Sequence, residues 1–158
     1  MIPVLYKANE TEFNSQGVGC LTDCITCYVH EKLNGVYELK FTYPITGVHF
    51  SDIKVGAIVD AIPSDGKAVQ HFRIDTITKP IGGKVTVEAT HISYQLSYVP
   101  VKPFDAVGVL EALNGLKENS LTSNPFSVWT DISNTATKYS QQEPASFRQR
   151  LGGVAGSI

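Results

Sequence analysis

The chain has 158 residues, of which 42% are hydrophobic and 18% charged, with a net charge of -2 and a pI of about 6.1. This composition suits one compact domain, or a domain plus a small subdomain, built around an apolar core. It argues against sequence-specific nucleic-acid binding, which calls for a basic face, and the longest apolar runs are too short to cross a bilayer, so no transmembrane segment is expected.

Residues 1–7 lack a basic stretch followed by a long apolar run, so no signal peptide is expected and synthesis in a cytoplasm follows. Residues 2–6 form a short apolar run, followed by a polar, glycine-containing loop over residues 8–19. Ile25, Cys27 and Val29 then alternate with Thr26, Tyr28 and His30. After Asn34-Gly35, a pair suited to a tight hairpin turn, Tyr37, Leu39, Phe41 and Tyr43 alternate with Val36, Glu38, Lys40 and Thr42. The pattern predicts a long antiparallel hairpin with one apolar face.

Pro44 and Gly47 break it. Residues 55–62 read as the next strand, closed by the turn Pro63-Ser64-Asp65-Gly66. Residues 69–78 carry Phe72 and Ile74 on one face, and residues 84–90 alternate Val85, Val87 and Ala89 with Thr86, Glu88 and Thr90. Five or six strands joined by short turns make a meander suited to a small barrel or sandwich.

The last third changes period. After Pro103, Ala106, Val109, Leu110, Leu113 and Leu116 predict a helix with Asp105 as its N-cap. Residues 126–132, with Trp129, read as a strand. Pro144, Phe147 and Leu151 suit a second helix, stopped by Gly152-Gly153. Residues 154–158 read as a cut inside a larger protein. The expected class is therefore mainly β (α+β): an antiparallel barrel or sandwich over residues 1–100, then a smaller helix-containing portion over residues 101–158, truncated at its C-terminus.

The residues that could carry chemistry are few. Cys20, Cys24 and Cys27 stand as C-x3-C-x2-C, a spacing that can hold an iron–sulfur cluster when it lies in a loop. Here Cys24 and Cys27 fall in or beside a strand, where an offset of three points side chains to opposite faces. An odd, tightly clustered set makes no disulfide framework and suits a reducing compartment. Cys24, Cys27 and His30 lack the second ligand pair that zinc requires. His30, His49, His71 and His91 adjoin no nucleophile motif, and a Cys27–His91 pair has no support in sequence. Neither Gly17-Val18-Gly19 nor Gly66-Lys67 completes a phosphate loop. Tyr37, Phe41 and Tyr43 on one strand face, and Tyr94 and Tyr98 four apart, read first as core and second as a sugar or partner surface. The expectation is no catalytic, cofactor-binding or metal-binding residue in this segment, and no cofactor.

One ordered set of segments carries a resemblance. It comprises Met1-Ile2-Pro3-Val4-Leu5-Tyr6, Asn34-Gly35-Val36-Tyr37-Glu38-Leu39, Tyr43-Pro44-Ile45-Thr46-Gly47, Phe72-Arg73-Ile74, His91-Ile92-Ser93-Tyr94, Asn124-Pro125-Phe126, Trp129-Thr130-Asp131-Ile132, Glu143-Pro144-Ala145-Ser146-Phe147-Arg148 and Leu151-Gly152-Gly153. In this order they resemble the N-terminal region of phage minor structural proteins, the prophage tail endopeptidase or tail-associated lysin family, which is similar to baseplate hub proteins. The resemblance implies a structural role at a phage or prophage tail tip. It further implies a trimeric ring that closes the tail tube, with the distal tail protein and the tape-measure protein as partners. The protein would be made in the host bacterial cytoplasm and located at the virion tail tip. Any peptidase or lysin module would lie downstream, so the segment itself would be no enzyme. The alternatives are a cell-wall carbohydrate- or receptor-binding module and an iron–sulfur or zinc enzyme using the cysteines.

Overall fold

The computed structural model describes residues 2–32, 35–63 and 68–152. Asn34 of the expected hairpin turn, Ser64-Asp65-Gly66 of the second turn, Gly153 of the helix stop and the terminal residues 154–158 lie outside the described residues. Strand accounts for 37% and helix for 17% of the chain, so the protein is mainly β. It folds as two compact units, Met1–Ile92 and Ser93–Ile158.

The first unit is a curled, half-barrel antiparallel sheet. Its strands are β1 (Val4–Tyr6), β2 (Gly19–Cys20), β3 (Thr26–Glu31), β4 (Tyr37–Pro44), β5 (Ile58–Ala61), β6 (Gln70–Ile77) and β7 (Lys84–His91). Their spatial order is β2-β1-β5-β6-β7-β4-β3. The period-2 pattern sets which face is inside. Leu39, Phe41 and Tyr43 of β4 lie opposite Ala89, Val87 and Val85 of β7, and all six are buried. Cys27 and Val29 of β3 face Phe41 and Leu39. Across the sheet, Phe72 and Ile74 of β6, Val59 and Ala61 of β5 and Leu5 of β1 complete the same core. A register shift between Ile74 and Thr76 inserts an extra residue into β6 and bends it against β7.

The two edge strands, β2 and β3, are consecutive in the chain, separated only by residues 21–25. Leu21 N–H still donates to Pro3 O (2.8 Å) beside β1, while Ile25 N–H already donates to Thr42 O (2.9 Å) on β4. One continuous stretch therefore holds both edges of the curled sheet. Leu21 is fully buried at the corner. Asp23 ties the corner to the end of β4 and the turn beyond it: its Oδ2 accepts from Tyr43 Oη (3.3 Å) and from Val48 N–H (2.9 Å).

Seven strands form where five or six were expected, because β2 is two residues long and shows no alternation of its own. The strand expected over residues 55–62 is shorter. Val55 is exposed and precedes Gly56, whose N–H donates to Ile74 O (2.8 Å) before β5 begins.

The second unit contains β8 (Pro100–Val101), β9 (Phe104–Val107), β10 (Lys138–Gln141), β11 (Ala145–Ser146), α1 (Val109–Glu118) and α2 (Phe147–Leu151). β10 pairs with β9 and β11 with β8. The core is Leu96, Val99, Val101, Leu116 and Phe147, with Phe104, Phe126 and Val128 packed against it. Leu96 and Val99 belong to this core, so the division between units falls at the 3-10 helix Ile92–Tyr98, ahead of a boundary placed after residue 100.

Three local expectations are corrected here. Asp105 does not cap a helix: it lies in β9, and its Oδ1 accepts from Ser140 Oγ (2.5 Å) and Gln142 Nε2 (3.2 Å). The pairing of β9 with β10 takes up Ala106, and α1 starts after Gly108, whose φ of 93° suits glycine alone. The buried face of α1 is Ala112, Gly115 and Leu116, while Leu110 is exposed. A Cβ on Gly115 would meet Phe104 Cε2 at 2.2 Å, so the glycine admits the Phe104 ring. Residues 126–132 form no strand, and Trp129 is 80% exposed. Local side chains satisfy amides that a ladder would otherwise use: Phe126 N–H donates to Asn124 Oδ1 (3.3 Å) and Ile132 N–H to Thr130 Oγ1 (3.0 Å).

The second helix forms close to where it was expected, but its cap is Ser146. Ser146 Oγ accepts from Gln149 N–H (3.3 Å), and Ser146 N–H donates to Gln149 Oε1 (2.9 Å), which together make a capping box. Buried Gln141 is fully engaged, donating to Val101 O (3.3 Å) and Glu143 O (3.2 Å) while accepting from Tyr139 Oη (3.2 Å).

Leu21→Ala should lower the unfolding free energy by about 2–5 kcal/mol, as deletion of a buried leucine side chain does. Val48→Ala, at an exposed position of the neighbouring turn, should change it by less than about 0.5 kcal/mol; urea titration measures both. Fluorescence of Trp129, the single tryptophan, should peak near the position for free indole and be quenched by iodide in the native state. A blue-shifted, protected emission would contradict its exposure.

Candidate functional site

A cluster of titratable and aromatic groups lies on the outer face of β1, β5 and β6. The registers Val4↔Asp60 and Asp60↔His71 align three residues across these strands, and Tyr6 follows two positions along β1 on the same face. The loop between β1 and β2 folds back over this face. Tyr6 Oη donates to Ser15 O (2.7 Å), Val18 N–H to Leu5 O (2.7 Å), and Arg73 Nη1 to Ala8 O (2.8 Å). Phe13, carried by the loop, stacks on the His71 ring with centroids 3.8 Å apart and meets Tyr6 edge-on at 5.2 Å. With the core on one side and this cover on the other, all four residues of β5 are buried.

Asp60 is only 7% exposed, and its Oδ1 makes a short hydrogen bond with His71 Nδ1. A carboxylate at Nδ1 fixes the imidazole tautomer and ring plane, leaving Nε2 as the second position for a proton. Burial, reinforced by the nearby Asp60 carboxylate, pushes the Tyr6 phenol above its ordinary value. Beside these groups lies an open cavity of about 730 Å³, with apolar walls that include Val4, Ala61, Ile62 and Val69. No serine, threonine or cysteine lines it among the described residues. The arrangement fixes the plane of the imidazole, and Cys20 of β2, opposite Val4, belongs to the same sheet face.

The structure distributes the other residues singled out in the sequence as follows. His30 is exposed on β3. His49 precedes a 3-10 turn, with Nδ1 3.5 Å from Asp52 Oδ2. His91 ends β7, stacks on Tyr37 at 4.5 Å and hydrogen-bonds Gln70 Oε1 at 3.0 Å. Cys27 and His91 are not brought together. Cys27 aligns with Phe41 and thence with Val87, about 13 Å along the strand from His91 at about 3.3 Å per residue.

Phe41 and Tyr43 are wholly buried, and Tyr37 packs against the same core, which removes this stripe as a sugar-binding surface. Burial raises the Tyr43 phenol above its usual range. Tyr94 and Tyr98 diverge in role: the Arg148 guanidinium sits 3.8 Å from the Tyr94 ring centroid, whereas Tyr98 is 85% exposed.

The three cysteines are free. Cys24 lies in the turn ahead of β3, where its Sγ meets Thr26 O (3.2 Å) and Thr42 O (3.7 Å), and Cys27 is the second residue of β3. The influence of Cys27 lowers Cys24 below an ordinary thiol against the opposing effect of burial, and the influence of Cys24 raises Cys27 together with burial. Cys20 lies on β2 opposite Val4. Among the described residues, no three of the His, Cys, Asp and Glu side chains converge on a point that could hold a metal ion. No helix among them is long and apolar enough to cross a membrane.

The Asp60–His71 pair had no signal of its own in the sequence. Asp60 stands in an apolar strand where a lone carboxylate invites a search for its partner, but only the β5–β6 register supplies His71. No protein-family model, curated protein or solved structure matches the chain.

His71→Ala leaves the Asp60 carboxylate buried without its partner and should cost about 1–3 kcal/mol of stability. Asp60→Ala in the same background should cost less than it does alone. A double-mutant cycle by urea unfolding measures the coupling, and additive losses would contradict it.

Proposed function

We propose that this chain is the N-terminal hub segment of a phage or prophage tail-tip protein, acting as a scaffold. The observation that carries the reading is the ordered set of segments from Met1-Ile2-Pro3-Val4-Leu5-Tyr6 to Leu151-Gly152-Gly153, which spans essentially the whole chain and resembles the N-terminal region of tail-associated lysin proteins. The curled antiparallel sheet followed by a smaller helix-containing unit supports it, because long paired strands resist bending and suit a part that must hold a shape under load. The mildly acidic balance supports it too, since a tube that passes DNA is served by walls that do not bind it.

On this reading the protein assembles as a closed trimer through heterologous interfaces. It contacts the distal tail and tape-measure proteins and carries no wall-degrading chemistry within these residues. Any peptidase or lysin module belongs to a downstream part of the same polypeptide. A second reading, a cell-wall carbohydrate- or receptor-binding module, is favoured by the exposed aromatic rings of Tyr98 and Trp129.

Antibodies raised against the chain and used for gold labelling of purified virions should decorate the tail tip. Labelling of heads, or virions that lack the protein, would overturn the hub reading. Retention of the isolated chain on purified host cell walls, lost in Trp129→Ala with the fold intact, would favour the second.

A further inference from the structure

The cavity beside Asp60 and His71 has the make-up of a small-ligand site. Its volume of about 730 Å³ lies within the range of pockets that take small organic molecules, which are mainly apolar with a few placed polar groups. Val4, Ala61 and Val69 supply apolar wall, and His71 supplies a polar group. The cleft on the outer face of β3, β4 and β7 is smaller, about 280 Å³, and two of its charges already pair, Lys40 with Glu88 at 2.7 Å.

The imidazole is prepared for one kind of contact. The Asp60 carboxylate accepts from Nδ1, so the neutral ring presents Nε2 as an acceptor. Among the described residues nothing hydrogen-bonds Nε2. The Phe13 ring covers one face of the imidazole, with centroids 3.8 Å apart and planes at 20°. The His71 side chain still keeps 25% of its surface open. An oriented, unused acceptor therefore adjoins an apolar wall.

We propose that this cavity is a binding site for a small, uncharged aromatic alcohol of the phenol class. The ligand ring lies against Val4, Ala61 and Val69, and its hydroxyl donates to His71 Nε2. Each half of the ligand answers a feature of the site. Burial of the ring takes its apolar surface out of water. Phe13, Tyr6 and the imidazole are themselves flat rings, which favour an aromatic body over a flexible aliphatic one. The hydroxyl supplies the donor that Nε2 lacks, whereas a plain hydrocarbon would cover that acceptor and leave it unpaired. An anion is disfavoured because nearly buried Asp60 already places a carboxylate at the site. The whole site lies within the first unit and does not depend on the hub reading.

The test titrates the whole chain with para-cresol and follows backbone amides and imidazole nitrogens by NMR. Saturable shifts at Val4, Ala61 and Val69, with a Kd of about 1 mM or tighter, and a shift of His71 Nε2 are expected. Toluene should bind about tenfold more weakly, the effect of one hydrogen bond, and para-toluate should not compete. His71→Asn keeps a donor in the place of Nδ1 for Asp60 but removes Nε2, and should weaken para-cresol to the level of toluene. Val69→Asp, at an exposed wall position, tests the same site should the His71 variant fail to fold, and should abolish binding. Absence of saturable shifts at these residues, equal affinity for para-cresol and toluene, competition by para-toluate, or unchanged affinity in either folded variant would overturn the proposal.

Discussion

The first unit depends on one constraint: a single stretch of chain must satisfy both edges of a curled sheet. The stretch from Gly19 to Glu31 pairs at its start with β1 and at its end with β4, and between them it turns through residues 21–25. A two-residue strand such as β2 has little stability of its own. It is held because Leu21 is buried at the corner and because Asp23 receives hydrogen bonds from Tyr43 and Val48. Edge strands with open backbone groups invite unwanted pairing, and this unit limits the exposure by making one edge very short and joining it directly to the other.

The same curl accounts for the outer face of β5. Its four residues are buried because the inner side meets the core and the outer side lies under the loop that carries Phe13. A buried carboxylate under such a cover needs a partner, and the antiparallel register puts His71 opposite Asp60. The pair is thus part of how the loop is seated.

Much of the first unit was legible in the sequence because strand alternation is a local signal. Tyr37, Leu39, Phe41 and Tyr43, and then Val85, Val87 and Ala89, announce their buried face directly, and the structure pairs them in register. What was not legible depends on distant partners. Gly19–Cys20 become a strand only because β1 lies beside them. Phe104–Val107 satisfy a helical and an alternating pattern equally well, and the presence of β10 decides between them. Residues 126–132 have strand-like composition but find no neighbouring strand. Ser146 and Gln149 did carry a readable capping box, which the attraction of Pro144 as a helix start obscured. Of the sites, the Asp60–His71 pair needed the β5–β6 register and does not follow from spacing.

Amide hydrogen exchange at the corner tests the central claim most directly. If one stretch of chain holds both sheet edges, Leu21 N–H, bonded to Pro3 O, and Ile25 N–H, bonded to Thr42 O, should be protected nearly as well as the mid-strand amides of β4 and β7, opening only with the whole unit. Exchange at Leu21 or Ile25 that is orders of magnitude faster, while Phe41 and Val87 stay protected, would show that the edges are not joined there and would contradict the account.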